Sequence, residues 1–180
     1  MIPDEKEVLA LHAKYKSNER IVKHCQAVAS ISRRLCESAT ANGHPVDMSA
    51  VVAGALLHDI GRTQTQLANH GQVGAELLAR EGVDSIVVEI VKRHVGAGIS
   101  SSEAASLGFP PGDYIPSTLE QKIVCFADKM LDGDKARPFG EEVKRFVKKG
   151  HDVPRLKKLK DDVSAAVGSD AEALALAKAT

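Results

Sequence analysis

The sequence predicts an all-α protein, a bundle of about eight helices. Apolar residues recur at spacings of three and four through most of the 180 residues. No alternating apolar–polar run exceeds four residues, so no half-buried strand is expected. Capping residues and glycines fall where those helical segments begin and end.

In chain order, Pro3 and Asp4 open a short charged helix over 4–16, and Ser17 or Asn18 caps a long one that runs to about 41. Its stripe is Ile21, Val28, Ile31 and Leu35, and Gly43 ends it. The next helix, 49–60, holds Ala50–Leu57, apolar on every side, and is expected to be the central buried element. Helices follow at about 71–81 and 84–95, parted by Gly82. Residues 96–116 carry four glycines and three prolines and predict a loop with one short helix near 101–107. A loop of that length is expected to shape a substrate pocket. Thr118–Leu131 is helical, 132–134 is a turn, and helices are expected over 138–149, 153–167 and 170–178, the last with an end that frays. We read 1–180 as one domain, with a core at about 18–132 and a helical extension at 135–180.

Composition narrows the function classes. No run reaches the ~18 apolar residues of a membrane span, because the longest is interrupted at Gly54. Met1–Arg20 is charged throughout and offers no secretory apolar region. The three cysteines (25, 36, 125) lack paired spacing, which favours a reducing, cytoplasmic setting over a disulfide framework. Aromatic residues are 3% of the chain, too few for a platform that stacks nucleic-acid bases.

Seven histidines are many for such a chain, and four occupy positions where leucines would be expected. His24 lies between Ile21 and Val28; His58 follows Leu56-Leu57, with Asp59 beside it. His70 begins the stripe that continues through Val73 and Leu77, and His94 continues that of Val87 and Ile90. Asp128 lies between Val124 and Leu131. One inward histidine is ordinarily a core residue with a hydrogen-bond partner. Six inward imidazoles and carboxylates need more, since a buried carboxylate without a cation or donor costs several kcal/mol. Nitrogen and oxygen donors suit Zn, Mn, Fe or Co, and thiolates are not needed among them. His12, His44 and His151 fall on charged or loop segments and are expected at the surface.

The series His24, His58-Asp59, His70, His94, Asp128 resembles the HD superfamily of metal-dependent phosphohydrolases. Leu57-His58-Asp59-Ile60-Gly61 resembles its HDIG branch, as do His70-Gly71-Gln72-Val73-Gly74-Ala75, Val91–His94 and Phe126–Met130. The resemblance implies a helical HD-domain bundle in which His24, His58, Asp59 and Asp128 hold one divalent transition metal. His70 and His94 would hold a second together with Asp59, the ions being Mn, Fe, Co, Ni or Zn. It implies hydrolysis of a nucleotide or other small phosphoester or phosphoanhydride, because a bound divalent metal brings the pKa of its water from 15.7 to about 7 and so supplies hydroxide. Asp59 would bridge the ions. Arg62, with Lys129 and then Arg93 behind it, would meet the charge on phosphoryl oxygens. Gln66 and Asn69 are further residues positioned to touch substrate. Two rival readings are an HD-type di-iron oxygenase and a non-catalytic RNA-associated module.

The RNA alternative comes from the charge distribution. The net charge of zero hides three segments: −4 over 1–134, +7 over 135–160 and −3 over 161–180. The middle block contains Lys144, Arg145, Lys148, Lys149, Arg155 and Lys157. Such a block is ordinarily a solvated helix face and, more sharply read, an anion surface for a polyphosphate or RNA.

Overall fold

The longest helix, α2 (Glu19–Ala41), is the spine of the computed structural model, which describes residues 1–177. Asn18 caps it by accepting from the Ile21 amide, and Cys25, Val28, Ile31 and Leu35 form its buried face. Against it packs α3 (Met48–Leu57), capped by Asp47, whose Ala50, Val51, Ala53, Ala55 and Leu57 are buried. This helix is apolar all round and central, as its composition predicts. α7 (Leu119–Lys129) closes the other side of α2 with Ile123, Val124 and Phe126. Each fully buried leucine, isoleucine or phenylalanine in such a core contributes roughly 1.5–3 kcal/mol.

The remaining helices frame this core. They are α1 (Glu5–Lys14), α4 (His70–Arg80), α5 (Ser85–Lys92), α6 (Ser101–Ser106), α8 (Phe139–Lys149), α9 (Val153–Val167) and α10 (Ala171–Leu176). The fold is all-α, with ten α-helices among the described residues against about eight expected. Each falls on a segment that reads as helical in the sequence, the two shortest being α6 and α10. α6 is six residues long, its first amides satisfied by a Ser100–Glu103 capping box, and α10 is also six residues long. Lys178, where the last helix was expected to end and fray, lies outside the described residues. Between Leu131 and Ala136 the expected turn is part of a hairpin, in which β1 (Leu131–Asp132) pairs antiparallel with β2 (Lys135–Ala136) around Gly133.

Two helix ends also differ from the sequence reading, and both place chemistry. The third helix stops at Leu57, not 60; the chain turns at Asp59 into a 3-10 turn, Ile60–Thr63. α5 stops at Lys92, so His94 sits just beyond its end. In each case leaving the helix lets a polar side chain aim sideways into the interior.

His12 corrects a surface expectation: it is 5% exposed. Its Nε2 donates to the Leu56 carbonyl at 2.8 Å, leaving Nδ1 to accept from the Ser17 hydroxyl at 2.8 Å, so it ties α1 to α3. Burial holds its pKa below 6.5, with the nearby His58 adding to the effect and the Leu56 carbonyl opposing it. A base with a depressed folded pKa gives stability above its unfolded pKa that is lost as pH falls through the folded value, because the unfolded chain takes the proton first. We expect His12→Gln to flatten the fall of Tm between pH 7.5 and 5.5, by up to about 1.4 kcal/mol per pH unit of underlying stability. Identical slopes in the two proteins would contradict this role.

Candidate metal centre

Five helices converge on Asp59, which sits in the turn after α3. α2 brings His24, the end of α3 brings His58, the first residue of α4 is His70, the residue after α5's cap is His94, and α7 brings Asp128. His58, Asp59, His70 and His94 are buried, and His24 and Asp128 are partly exposed. All six residues expected from the sequence therefore meet in one place.

The approach of α4 depends on a missing side chain. A Cβ on Gly61 would lie 2.0 Å from the His70 carbonyl oxygen and 2.6 Å from the Gly74 amide nitrogen. Only glycine allows the turn after Asp59 to sit directly on α4.

The hydrogen bonds fix the imidazoles. His24 Nδ1 lies 2.6 Å from the Gly133 carbonyl, His58 Nδ1 2.7 Å from that of Ala55, His70 Nδ1 2.8 Å from that of Leu67, and His94 Nδ1 2.7 Å from that of Val91. A carbonyl only accepts, so each Nδ1 is the donor and each Nε2 is left for the centre. There the Nε2 atoms face one another in pairs, His24 against His58 at 3.2 Å and His70 against His94 at 3.1 Å. Burial, reinforced by His94, pushes His70 down to about 3, and burial also lowers His94. Both rings of that pair are thus neutral at physiological pH, with two lone pairs opposed at 3.1 Å. Such a pair calls for a cation.

Asp59 divides between the two pairs. Its Oδ1 is 3.3 Å from His70 Nε2 and 3.5 Å from His94 Nε2; its Oδ2 is 3.9 Å from the Nε2 atoms of both His24 and His58. Oδ1 is buried and has no hydrogen-bond partner among the described residues. Asp128 Oδ1 lies 3.0 Å from His24 Nε2 and 3.7 Å from His58 Nε2. The triads His24–His58–Asp59, His58–His94–Asp128 and Asp59–His70–His94 each keep their donor atoms within 4.8 Å of one another. An orphaned carboxylate oxygen facing opposed imidazole lone pairs is the arrangement a divalent cation satisfies, so these residues fit one.

The electrostatics agree. Burial raises the Asp59 pKa, but the charge on the His58 imidazole outweighs it and holds the carboxyl well below the usual range. Asp128 behaves likewise, with the Lys129 ammonium and His24 outweighing burial. Burial opposes charge on His58, yet the negative groups around it, Asp59 and Asp128 among them, raise it well above 6.5. The cavity thus favours positive charge where the Nε2 atoms meet.

Arg62 and Lys129 both line the cavity, and both are engaged with the carboxylates: Arg62 Nε pairs with Asp59 Oδ2 at 2.7 Å, and Lys129 pairs with Asp128. Gln66 also lines it and donates to the Arg62 carbonyl at 2.7 Å, whereas Asn69 accepts from the Thr65 hydroxyl. Arg93 is elsewhere, held by Glu89 at 2.9 Å and by the Ile115 carbonyl at 2.9 Å. Cys25 and Cys125 pack as small hydrophobes. Burial pushes the Cys125 thiol up to about 12, and it donates to the His94 carbonyl.

The pocket wall is where sequence reasoning fell short. From 96–116 only Gly96 reaches the cavity, because that segment is pinned away from it: Arg155 Nη1 donates to the Gly98 carbonyl at 2.9 Å and to Glu103 at 2.8 Å. The wall is made instead by the hairpin and α8, with His151 just beyond. Arg137 braces this wall by pairing with Asp132 at 2.7 Å and Glu142 at 2.5 Å, and so steadies the hairpin whose Gly133 carbonyl orients His24. The +7 segment was the available signal, but charge alone does not show which way a helix faces.

Fold and site together define an all-helical protein with a buried histidine–aspartate centre that could hold divalent metal. The chain belongs to the HD domain family, whose model matches residues 21–131. Among its relatives, a protein of Thermoplasma volcanium named tRNA (cytidine(56)-2'-O)-methyltransferase is 42% identical over 172 residues, 94% of this chain and 49% of that protein. A protein of the same name from Picrophilus torridus is 39% identical over 171 residues, again 94% and 49%. The chain therefore spans about half the length of these two relatives. Uncharacterized protein MJ0778 of Methanocaldococcus jannaschii is 43% identical over 143 residues, 79% of this chain and 85% of that protein. The HD domain of the L. monocytogenes phosphodiesterase PgpH shares the fold, with a TM-score of 0.54 at 16% identity over 89% of this chain and 97% of that one.

Proposed function

We propose that the chain is a metal-dependent phosphohydrolase that cleaves a nucleotide or another small phosphoester or phosphoanhydride. The observation that carries this reading is Asp59, with one oxygen toward His24 and His58 and the other, orphaned, toward His70 and His94. In this reading His24, His58, Asp59 and Asp128 hold one divalent transition ion, and Asp59, His70 and His94 hold a second. Such ions, when bound, supply Lewis acidity toward a phosphoryl oxygen and make water nucleophilic at neutral pH. The protein supplies orientation: four backbone carbonyls fix the imidazole tautomers. Arg62 and Lys129 balance the two carboxylates and present guanidinium and ammonium groups to the cavity, where phosphoryl oxygens gain charge.

Three buried free thiols support a reducing, cytoplasmic location, and among the described residues no helix is long and apolar enough to cross a membrane. RNA remains a second candidate partner, favoured by the +7 segment and by the printed names of two relatives.

Protein loaded in turn with Mn, Co, Ni or Fe should release phosphate from at least one member of a panel of nucleotides and phosphoesters, and a chelator should abolish that release. No release with any metal, together with oxygen uptake by the ferrous form, would replace this reading with the oxygenase one.

A further inference from the structure

The cavity over the metal centre has a volume of about 630 Å³, far more than one phosphate fills. That size lies within the roughly 300–1,000 Å³ of small-molecule sites. Its charge balance is uneven. Six cationic and four carboxylate side chains line it. The carboxylates are all committed: Asp59 to Arg62, Asp128 to Lys129, and Asp132 and Glu142 to Arg137. Three cations are left over.

These are Arg20, near the start of α2, and Arg145 and Lys149, one turn apart on α8. Among the described residues Arg20 and Lys149 have no ion pair, and Arg145 reaches Glu142 only at 3.9 Å, an acid already held by Arg137 at 2.5 Å. Burial lowers the Lys149 pKa, and the neighbouring Arg145 lowers it further, as expected of cations gathered without a counter-ion. His151 adds a fourth basic group to the same wall. Neighbouring cations of the basic segment are used differently: Lys144 pairs with Glu141, Lys158 with Asp162, and Lys160 with Asp170 and Glu172. Arg145 and Lys149 come from beyond residue 131, where the HD match ends.

We propose that Arg145 and Lys149, together with Arg20, form a second anion subsite, so that the substrate is a small molecule carrying at least two phosphate groups, one at the metal centre and another at this rim. This inference rests on the phosphohydrolase reading for the first of the two phosphates. A charged donor pair meeting a phosphate gives strong, oriented hydrogen bonds. The low aromatic content and the cavity's small-molecule size favour a compact polyphosphate over an RNA strand.

The test is equilibrium binding to the manganese-loaded full chain, with AMP and the β,γ-methylene analogue of ATP as probes. The wild type is expected to prefer the triphosphate analogue at least about tenfold, the effect of roughly 1.4 kcal/mol. Arg145→Gln/Lys149→Gln should bring that ratio within about threefold, with bound manganese and AMP affinity at wild-type levels. Should the double variant melt early, Lys149→Gln alone should lower the ratio about threefold or more. A wild-type ratio near one, or a ratio unchanged by the substitutions, overturns the subsite. So does tighter binding of a 12-nucleotide RNA without terminal phosphates that the double variant abolishes, since that places a polynucleotide strand on the rim. Binding is read without turnover, so failure to release phosphate from any ester would count against the phosphohydrolase reading alone.

Discussion

Asp59→Asn is expected to lower turnover by at least about 10³-fold and to leave less than one tightly held metal per chain, with helix content retained. The amide keeps the volume of the carboxylate but loses its charge, and one end becomes a donor. Asp59 faces all four imidazoles: Oδ1 lies 3.3 and 3.5 Å from His70 and His94, and Oδ2 lies 3.9 Å from His24 and His58. Among the described residues no other carboxylate lies within 4 Å of all four imidazoles, so its loss should weaken both halves of the site. Arg62 also loses its partner at 2.7 Å, which leaves a guanidinium in the cavity without its counter-charge. Phosphate release and bound metal, measured on the same preparation, check the prediction. A variant that binds metal normally and loses less than about tenfold in rate would remove Asp59 from the centre.

The second large effect is on folding. Gly61→Ala should destabilise the protein by about 3–5 kcal/mol or prevent its accumulation, because the added methyl meets backbone on both sides. Its Cβ would sit 2.0 Å from the His70 carbonyl oxygen and 2.6 Å from the Gly74 amide nitrogen. Neither atom belongs to a flexible side chain that can swing away, so the turn and α4 must separate. Where some protein survives, His70 should move out of reach of Asp59, and metal binding at that half should fall with it. Gly43→Ala is the control: its position has a positive φ but nothing within 4 Å of the new methyl, so strain alone operates there, at about 1 kcal/mol. Urea denaturation of the two variants compares the effects. Equal losses would show that contact between the turn and α4 does not matter.

The core and the ligand set were legible in the sequence for a simple reason: their signals are periodic. α3 is apolar on every side, which only a central helix permits, and His24 and Asp128 interrupt apolar stripes at helical spacing. What periodicity does not encode is where a helix yields. His58, Asp59 and His94 take their aim from the chain leaving helical geometry at Leu57 and Lys92, and no repeat pattern marks those points. His12 was misplaced because its helix is mostly charged, yet one face lies under Leu56. The pocket wall was misassigned for a related reason. Glycine and proline in 96–116 signal irregular backbone, but Arg155 pins that irregularity away from the cavity. Residues 135–160 read as a solvated basic face, and part of that face turns inward through the Arg137–Glu142 pair.

The central claim is that His24, His58, Asp59, His70, His94 and Asp128 form one centre for two divalent ions, split at Asp59. Elemental analysis of manganese-saturated protein after removal of free metal tests it most directly, on the wild type and on His70→Ala/His94→Ala. The account predicts about two ions per chain in the wild type and about one in the double variant, the lost ion being the one with no imidazoles left to hold it. A wild type that retains no transition metal, or a double variant that retains as much as the wild type, would contradict it.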